Sequence, residues 1–442
     1  MDPFMSRSTR TLLIGAAALL AVALVIALTG GDGAPEASTG PSASTTTAEP
    51  TDTAPSSTTS TTSTSSSTTS TTTTTTLDAR AARLLESTRR VLTESTPREL
   101  AYRLVVTGLT GADLRGRLTQ TVGSACVGGV FLTESNANWS PVDDPDAFRA
   151  ARASMPTTCA FPPLVTTDAE LGEVVRVPAR SPAPAPDWAT RYVEGEPYNV
   201  LLDLQEQAAT YATELRDLGV DVNFGAVADV DTAPDHFMAR QGRTFGADPG
   251  IVAALANAVV EGHCAAGVAA ALKHFPNQGA TVEDPHREPS TAIGGIDRWE
   301  TTGRLPYETT AAPVVMTGHI FMTDVDPDLP ASMSAAITTD LLRGDLGYDG
   351  VVITDDLSTM RGASDVIPDP GDRAVAAIRA GADLVLFVND TDIAPVVEAL
   401  TAAIEADDTF RDRALTAIQR ILRLQRGILQ PELFPLCGAV GD

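Results

Sequence analysis

Eight short apolar runs separated by amphipathic stretches set the architecture of this chain. They are Tyr102–Gly108, Val127–Leu132, Pro163–Asp168, Val220–Val230, Gly267–Phe275, Ala312–Ile320, Gly350–Asp356 and Ala382–Val388. Each is too short for a buried helix and is bounded by Gly or turn residues, as a strand covered on both faces requires. Most are separated by helical patterns such as Leu201–Gly219 and Ile251–Gly267. Strand and helix alternating in this way predict an α/β fold, a (β/α)8 TIM-type barrel forming a single catalytic domain over residues 77–442. An open doubly wound sheet is the alternative. No GxGxxG or P-loop follows any run, which weakens nucleotide binding.

What precedes the barrel is of another kind. Arg7 and Arg10 are followed by an uncharged run, Leu12–Leu28. Its seventeen residues are short for a membrane span and long for a signal-peptide core. Neither a clean A-x-A cleavage site nor a lipid-accepting Cys follows it. Residues 1–30 therefore read as an uncleaved membrane anchor, with a cleaved signal peptide as the alternative. The basic flank places the remainder outside the cytoplasm. Residues 31–76 are rich in Ser, Thr and Pro and end in six threonines, so they should remain a disordered linker. The expected location is extracytoplasmic, anchored or secreted.

Charge and cysteine usage narrow the function. Lys plus Arg is 31 against 57 Asp plus Glu, a net charge of −26. Such a surface repels phosphate backbones, so no nucleic-acid partner is expected. Cys126, Cys159, Cys264 and Cys437 show no CxxC pair and no zinc-like spacing. In an exported protein they are expected as Cys126–Cys159 and Cys264–Cys437, because the first two precede neighbouring strands. No His-x-His pair occurs, so a metal site is not expected.

Polar residues at strand C-termini build the site of such a barrel. Here they are Asp168, Asp229, Lys273-His274, His319 and Asp355-Asp356. Lys273 is the chain's single lysine. A long polar loop after the fifth run contains Asp284-Pro285-His286. A carboxylate two residues from an imidazole can accept its N–H and fix the tautomer, which makes His286 a candidate proton shuttle oriented by Asp284.

KHFPNQG followed by DPH (Lys273–His286) resembles the KHFPGHG…DxH segment of glycoside hydrolase family 3, most closely its bacterial exo-β-N-acetylglucosaminidases of cell-wall turnover. His319–Ser334, Leu346–Ala363, Ala380–Asp390 and Gly242–Pro249 are similar to other segments of that group. The resemblance implies Asp355 as nucleophile and His286 with Asp284 as general acid and base. It implies that Asp168, Arg176, Arg243, Lys273 and His274 bind the sugar. It further implies a monomeric retaining β-N-acetylhexosaminidase that needs no metal or organic cofactor and acts on N-acetylglucosamine-containing muropeptides. Three segments depart from the family pattern. Glu173 replaces an arginine of DQEGGR, Asn277-Gln278 replace Gly-His of KHFPGHG, and Asn223–Val227 lack the proline of the turn expected after strand four. A catalytically weakened sugar-binding protein and a β-glucosidase-like specificity are the alternatives that these changes leave open.

Overall fold

The structure, a computed structural model, describes residues 68–108, 126–132, 159–177, 179–233, 235–388 and 393–437, with Asp146 and Ala150. The Leu12–Leu28 run and residues 31–67 of the expected linker lie outside the described residues. Among those described, no helix is long and apolar enough to cross a membrane.

Eight parallel strands close into a barrel. They are β1 (Val105–Gly108), β2 (Gly129–Leu132), β3 (Leu164–Thr167), β4 (Val222–Val227), β5 (Ala269–Phe275), β6 (Val314–Thr317), β7 (Val351–Asp356) and β8 (Leu384–Phe387). Each lies inside one of the eight apolar runs. Neighbours in sequence pair with each other, and β8 pairs back onto β1, with Val105 opposite Val385. Every strand residue is buried except Asp355, which is half-buried. Continuous apolar strands leave no polar edge for solvent, and closure is the arrangement that satisfies every ladder.

The outer helices begin and end on readable signals. Asp248 caps Pro249–Ala265 by accepting from the N–H groups of Gly250 and Ile251, with Pro at the first helical position. Asp369 caps Pro370–Ala380, and Gly381 closes that helix at φ 122°. Near the N-terminal end of β8, the buried carboxylate of Asp383 receives Arg343 at 2.6 Å, Arg413 at 2.8 Å and the Val352 N–H at 3.0 Å. These contacts tie β8 to β7 beneath the site. The disulfides are Cys126–Cys159 and Cys264–Cys437.

One sequence expectation changes, and one element overlaps a boundary drawn from the sequence. The helix Thr68–Glu94 takes in the last nine residues assigned to the linker. The C-terminal half of that helix is held by Val91, Leu84 and Leu92 against the core. Extending an established helix requires no new nucleation. The Asn223–Val227 segment, read as a turn after strand four, lies within β4. Its register shifts between Asn223 and Ala226, so the irregularity is a bulge inside the strand.

Candidate active site

The barrel's C-terminal end opens into a cavity of about 450 Å³. Asp168, Arg176, Arg243, Lys273, His274, Asp284, His286 and Asp355 all line it, together with Val174, Phe237, Gln241, Gln278 and Arg287. The eight side chains for which the family resemblance implies catalytic or sugar-binding roles are therefore brought to one place.

Beside the cavity lies an ion cluster. Glu170 is 1% exposed, and both of its oxygens accept from Arg243, at 2.7 and 2.6 Å. Lys273 Nζ lies 2.7 Å from Glu170 and 2.9 Å from Asp168. Burial pushes the Glu170 carboxyl up, but Arg243 and Lys273 outweigh it and hold it well below the ordinary carboxylate range. Burial likewise opposes the Lys273 charge, yet Asp168 and Glu170 raise its pKa. Both cations are thus permanently charged and fixed in direction. Arg176 also faces the cavity, and its guanidinium has no partner among the described residues.

His274 is oriented by Asp229, whose carboxylate lies 2.7 Å from Nδ1 and also accepts from the backbone N–H groups of His274 and Gln278. This arrangement leaves His274 Nε2 for the cavity. Asp229 itself is fully buried, so its role is support.

The two aspartates closing β7 have different tasks. Asp356 caps the following turn, accepting from the N–H groups and hydroxyls of Ser358 and Thr359 and from the Val388 N–H. Among the described residues, Asp355 accepts the Asp356 N–H alone, at 2.8 Å, and it lines the cavity. Burial pushes its pKa up, but His274, His319, His286 and that N–H together hold it below the usual range. Asp355 is therefore an ionised, undercoordinated carboxylate. His319, expected at the site from its strand end, instead spans Ser332 Oγ at 2.8 Å and the Asp356 carbonyl at 2.9 Å, fully buried. Burial lowers its pKa despite the nearby aspartates, and its two contacts buttress the β7 turn.

Across the cavity, His286 Nδ1 lies 2.7 Å from Asp284 Oδ1. The side chain is 56% exposed, packed on one side by Phe237 at 5.9 Å between ring centroids. Nδ1 bonded to a carboxylate carries the proton, and Nε2 is left to exchange one with a ligand. The loop bearing the pair is tied to the turn after β7, because the Gly362 N–H donates to the Pro285 carbonyl at 3.0 Å. Among the described residues, no His, Cys, Asp and Glu side chains cluster in a way that could hold a metal ion.

The model of the glycosyl hydrolase family 3 N-terminal domain matches residues 101–424. The chain belongs to glycosyl hydrolase family 3. A beta-hexosaminidase of Bordetella avium (strain 197N) is 32% identical over 335 residues, covering 74% of this chain and 89% of that protein. The crystal structure of a β-N-acetylhexosaminidase from Beutenbergia cavernae is 30% identical with a TM-score of 0.66, covering 75% of this chain and 99% of that one. A family 3 β-N-acetylglucosaminidase from Paenibacillus is 29% identical with a TM-score of 0.65, covering 79% of this chain and 64% of that one. The protein is a glycosidase of the β-N-acetylhexosaminidase type.

Behind the wall of this family 3 site sits a residue that sequence reasoning passed over. Glu170 joins Arg243 to Lys273, and the signal was available in the Asp168-Ala169-Glu170 spacing. The family departures fall unevenly. Glu173 is exposed at the tip of the hairpin after β3 and does not line the cavity. Asn277 is a buried clamp, accepting the Val230 N–H at 2.9 Å and donating to its carbonyl at 3.0 Å. Only Gln278 changes the cavity wall.

Proposed function

We propose that this hexosaminidase is a retaining enzyme that removes terminal β-linked N-acetylglucosamine from cell-wall fragments outside the cytoplasm. The observation that carries the reading is the pairing of unlike groups in one cavity: an ionised Asp355 and an imidazole backed by Asp284. Asp355 attacks the anomeric carbon as the glycosidic C–O bond breaks, and His286 Nε2 gives its proton to the departing oxygen. Water then attacks the same carbon, His286 takes a proton from it, and Asp355 is released. Asp284 keeps the imidazole's other nitrogen protonated and aimed. Asp168, Arg243, Lys273 and His274 hold the ring hydroxyls, and Arg176 supplies a further guanidinium. The chemistry needs no cofactor, because two protein side chains supply the nucleophile and the proton. The charge-free run near the N-terminus and the two disulfides support an extracytoplasmic site of action.

The test is turnover of p-nitrophenyl N-acetyl-β-glucosaminide against the matching glucoside, followed by digestion of purified muropeptides. Release of free N-acetylglucosamine from both the aryl substrate and the muropeptides is expected. Binding of muropeptides without hydrolysis would refute the proposal in favour of a sugar-binding protein. Preference for the glucoside would refute the assigned sugar.

A further inference from the structure

One buried titratable group takes no part in this chemistry, yet it is connected to the cavity floor. His263 lies on the outer helix Pro249–Ala265 and is 1% exposed. Its Nδ1 lies 2.8 Å from the Val259 carbonyl, which can only accept. Nδ1 therefore carries the proton, and Nε2 of the neutral ring is an acceptor. Burial keeps the ring neutral, pushing its pKa down to about 4 against the opposing pull of the Val259 carbonyl.

Nε2 lies 2.9 Å from Asn223 Nδ2. That contact fixes the Asn223 amide, because a reversed amide would set its oxygen against Nε2. In the fixed orientation, Asn223 Oδ1 accepts the Ala169 N–H at 2.9 Å and Nδ2 donates to the Ala169 carbonyl at 2.8 Å. Reversal would oppose like groups at both of these contacts as well. Gly225 leaves room for the clamp, since a Cβ there would lie 2.3 Å from the Ala169 oxygen and 2.5 Å from Asn223 Nδ2.

Ala169 separates the two carboxylates that share Lys273, Asp168 at 2.9 Å and Glu170 at 2.7 Å. The hairpin they belong to is closed by its own bonds, Glu170 N–H to the Val174 carbonyl and Arg176 N–H to the Asp168 carbonyl. Those bonds shape the hairpin, whereas Asn223 joins it to the barrel wall. We infer that His263 is a positioning residue: by fixing the Asn223 amide from outside the barrel, it fixes the Ala169 peptide and so the two carboxylates that direct Lys273 toward substrate. The inference rests on the proposed sugar pocket only for what Lys273 is directed at.

The test compares His263→Leu, which has no acceptor for Asn223, with His263→Gln, which can offer an oxygen. Both are made in the full chain and assayed on the aryl N-acetyl-β-glucosaminide well below the melting temperature. His263→Leu is expected to raise KM about tenfold with a smaller change in kcat, and His263→Gln to recover to within about threefold of the wild type. A crystal structure of the Leu variant is expected to show Lys273 Nζ separated from one of its two carboxylates. Wild-type KM and kcat in His263→Leu, even with a lowered melting temperature, would make the contact merely structural and overturn the inference. Should His263→Leu fail to fold, Asn223→Asp decides the matter. It keeps the acceptor for the Ala169 N–H, can pair with a protonated His263, and lacks the donor to the Ala169 carbonyl. A similar KM rise supports the inference, and an unchanged KM overturns it. Should the wild type hydrolyse no hexosaminide, the assigned reaction has failed. The Lys273 contacts in the variant crystal then decide the positioning claim alone: separation supports it, and unmoved contacts overturn it.

Discussion

Replacing Glu170 by Gln is the sharpest single perturbation of the charges behind the cavity wall. The change keeps shape and removes one charge. Glu170 balances two buried cations through three contacts, at 2.6, 2.7 and 2.7 Å. After the change, the amide oxygen can accept from only part of this set, Lys273 keeps Asp168 as its carboxylate partner, and Arg243 keeps its bond to Gln241, at 3.2 Å. Removing one partner of a buried ion pair costs about 3–5 kcal/mol, because the remaining charge stays desolvated. Part of that cost is lost from folding stability and part reappears as Lys273 and Arg243 shifting to find new partners. If about 1.5–3 kcal/mol falls on the transition state, kcat/KM drops by roughly 10–100-fold. The assay is initial-rate kinetics on the aryl N-acetyl-β-glucosaminide, paired with thermal unfolding. A melting temperature lower by several degrees and the stated drop are expected, with Glu170→Asp intermediate. A Gln variant with wild-type kcat/KM and melting temperature would refute the reasoning that Glu170 holds both cations in place.

Other outcomes follow from single contacts. Asp284→Asn removes the charge that holds His286 Nδ1–H, so kcat should fall about 10–100-fold with little change in KM, read from steady-state kinetics on the same substrate. His263 has a folded pKa of about 4 against an ordinary value of 6.5. The unfolded state thus binds more protons below that ordinary value, and the stability this ring contributes is complete above pH 6.5 and lost as pH falls toward 4. The loss amounts to about 3 kcal/mol at most, and urea unfolding across that window should show a flatter slope for His263→Gln. Replacing Cys126 and Cys159 together by Ser frees a loop of 33 residues, which should lower stability by about 3–4 kcal/mol in chemical denaturation.

The barrel was legible because parallel strands buried on both faces leave continuous apolar runs, and each of the eight runs contains a strand. The polar residues at strand ends were legible for the same reason: Asp168, Lys273, His274 and Asp355 interrupt runs that are otherwise apolar. What strand position alone could not show was which polar end faces the cavity; Asp355 was picked out by its resemblance to the family segment. Asp355 and Asp356 are adjacent and chemically identical, and only the hydrogen bonds made by Ser358, Thr359 and Val388 reveal Asp356 as the cap. His319 was placed at the site by its strand end but is turned onto Ser332. Glu170 was missed because a carboxylate two residues beyond a strand resembles surface charge until its cationic partners, from β5 and from the segment after β4, are in place.

The most direct test of the account is to trap the reaction halfway. A fluorinated N-acetylglucosaminyl donor that slows hydrolysis of the glycosyl-enzyme is added to the full chain, which is then digested and mapped by mass spectrometry. One added mass of the fluorinated N-acetylglucosaminyl group is expected, on the peptide carrying Asp355 and on that carboxylate. A label on any other residue, or turnover without a covalent adduct and with inverted product configuration, would contradict it.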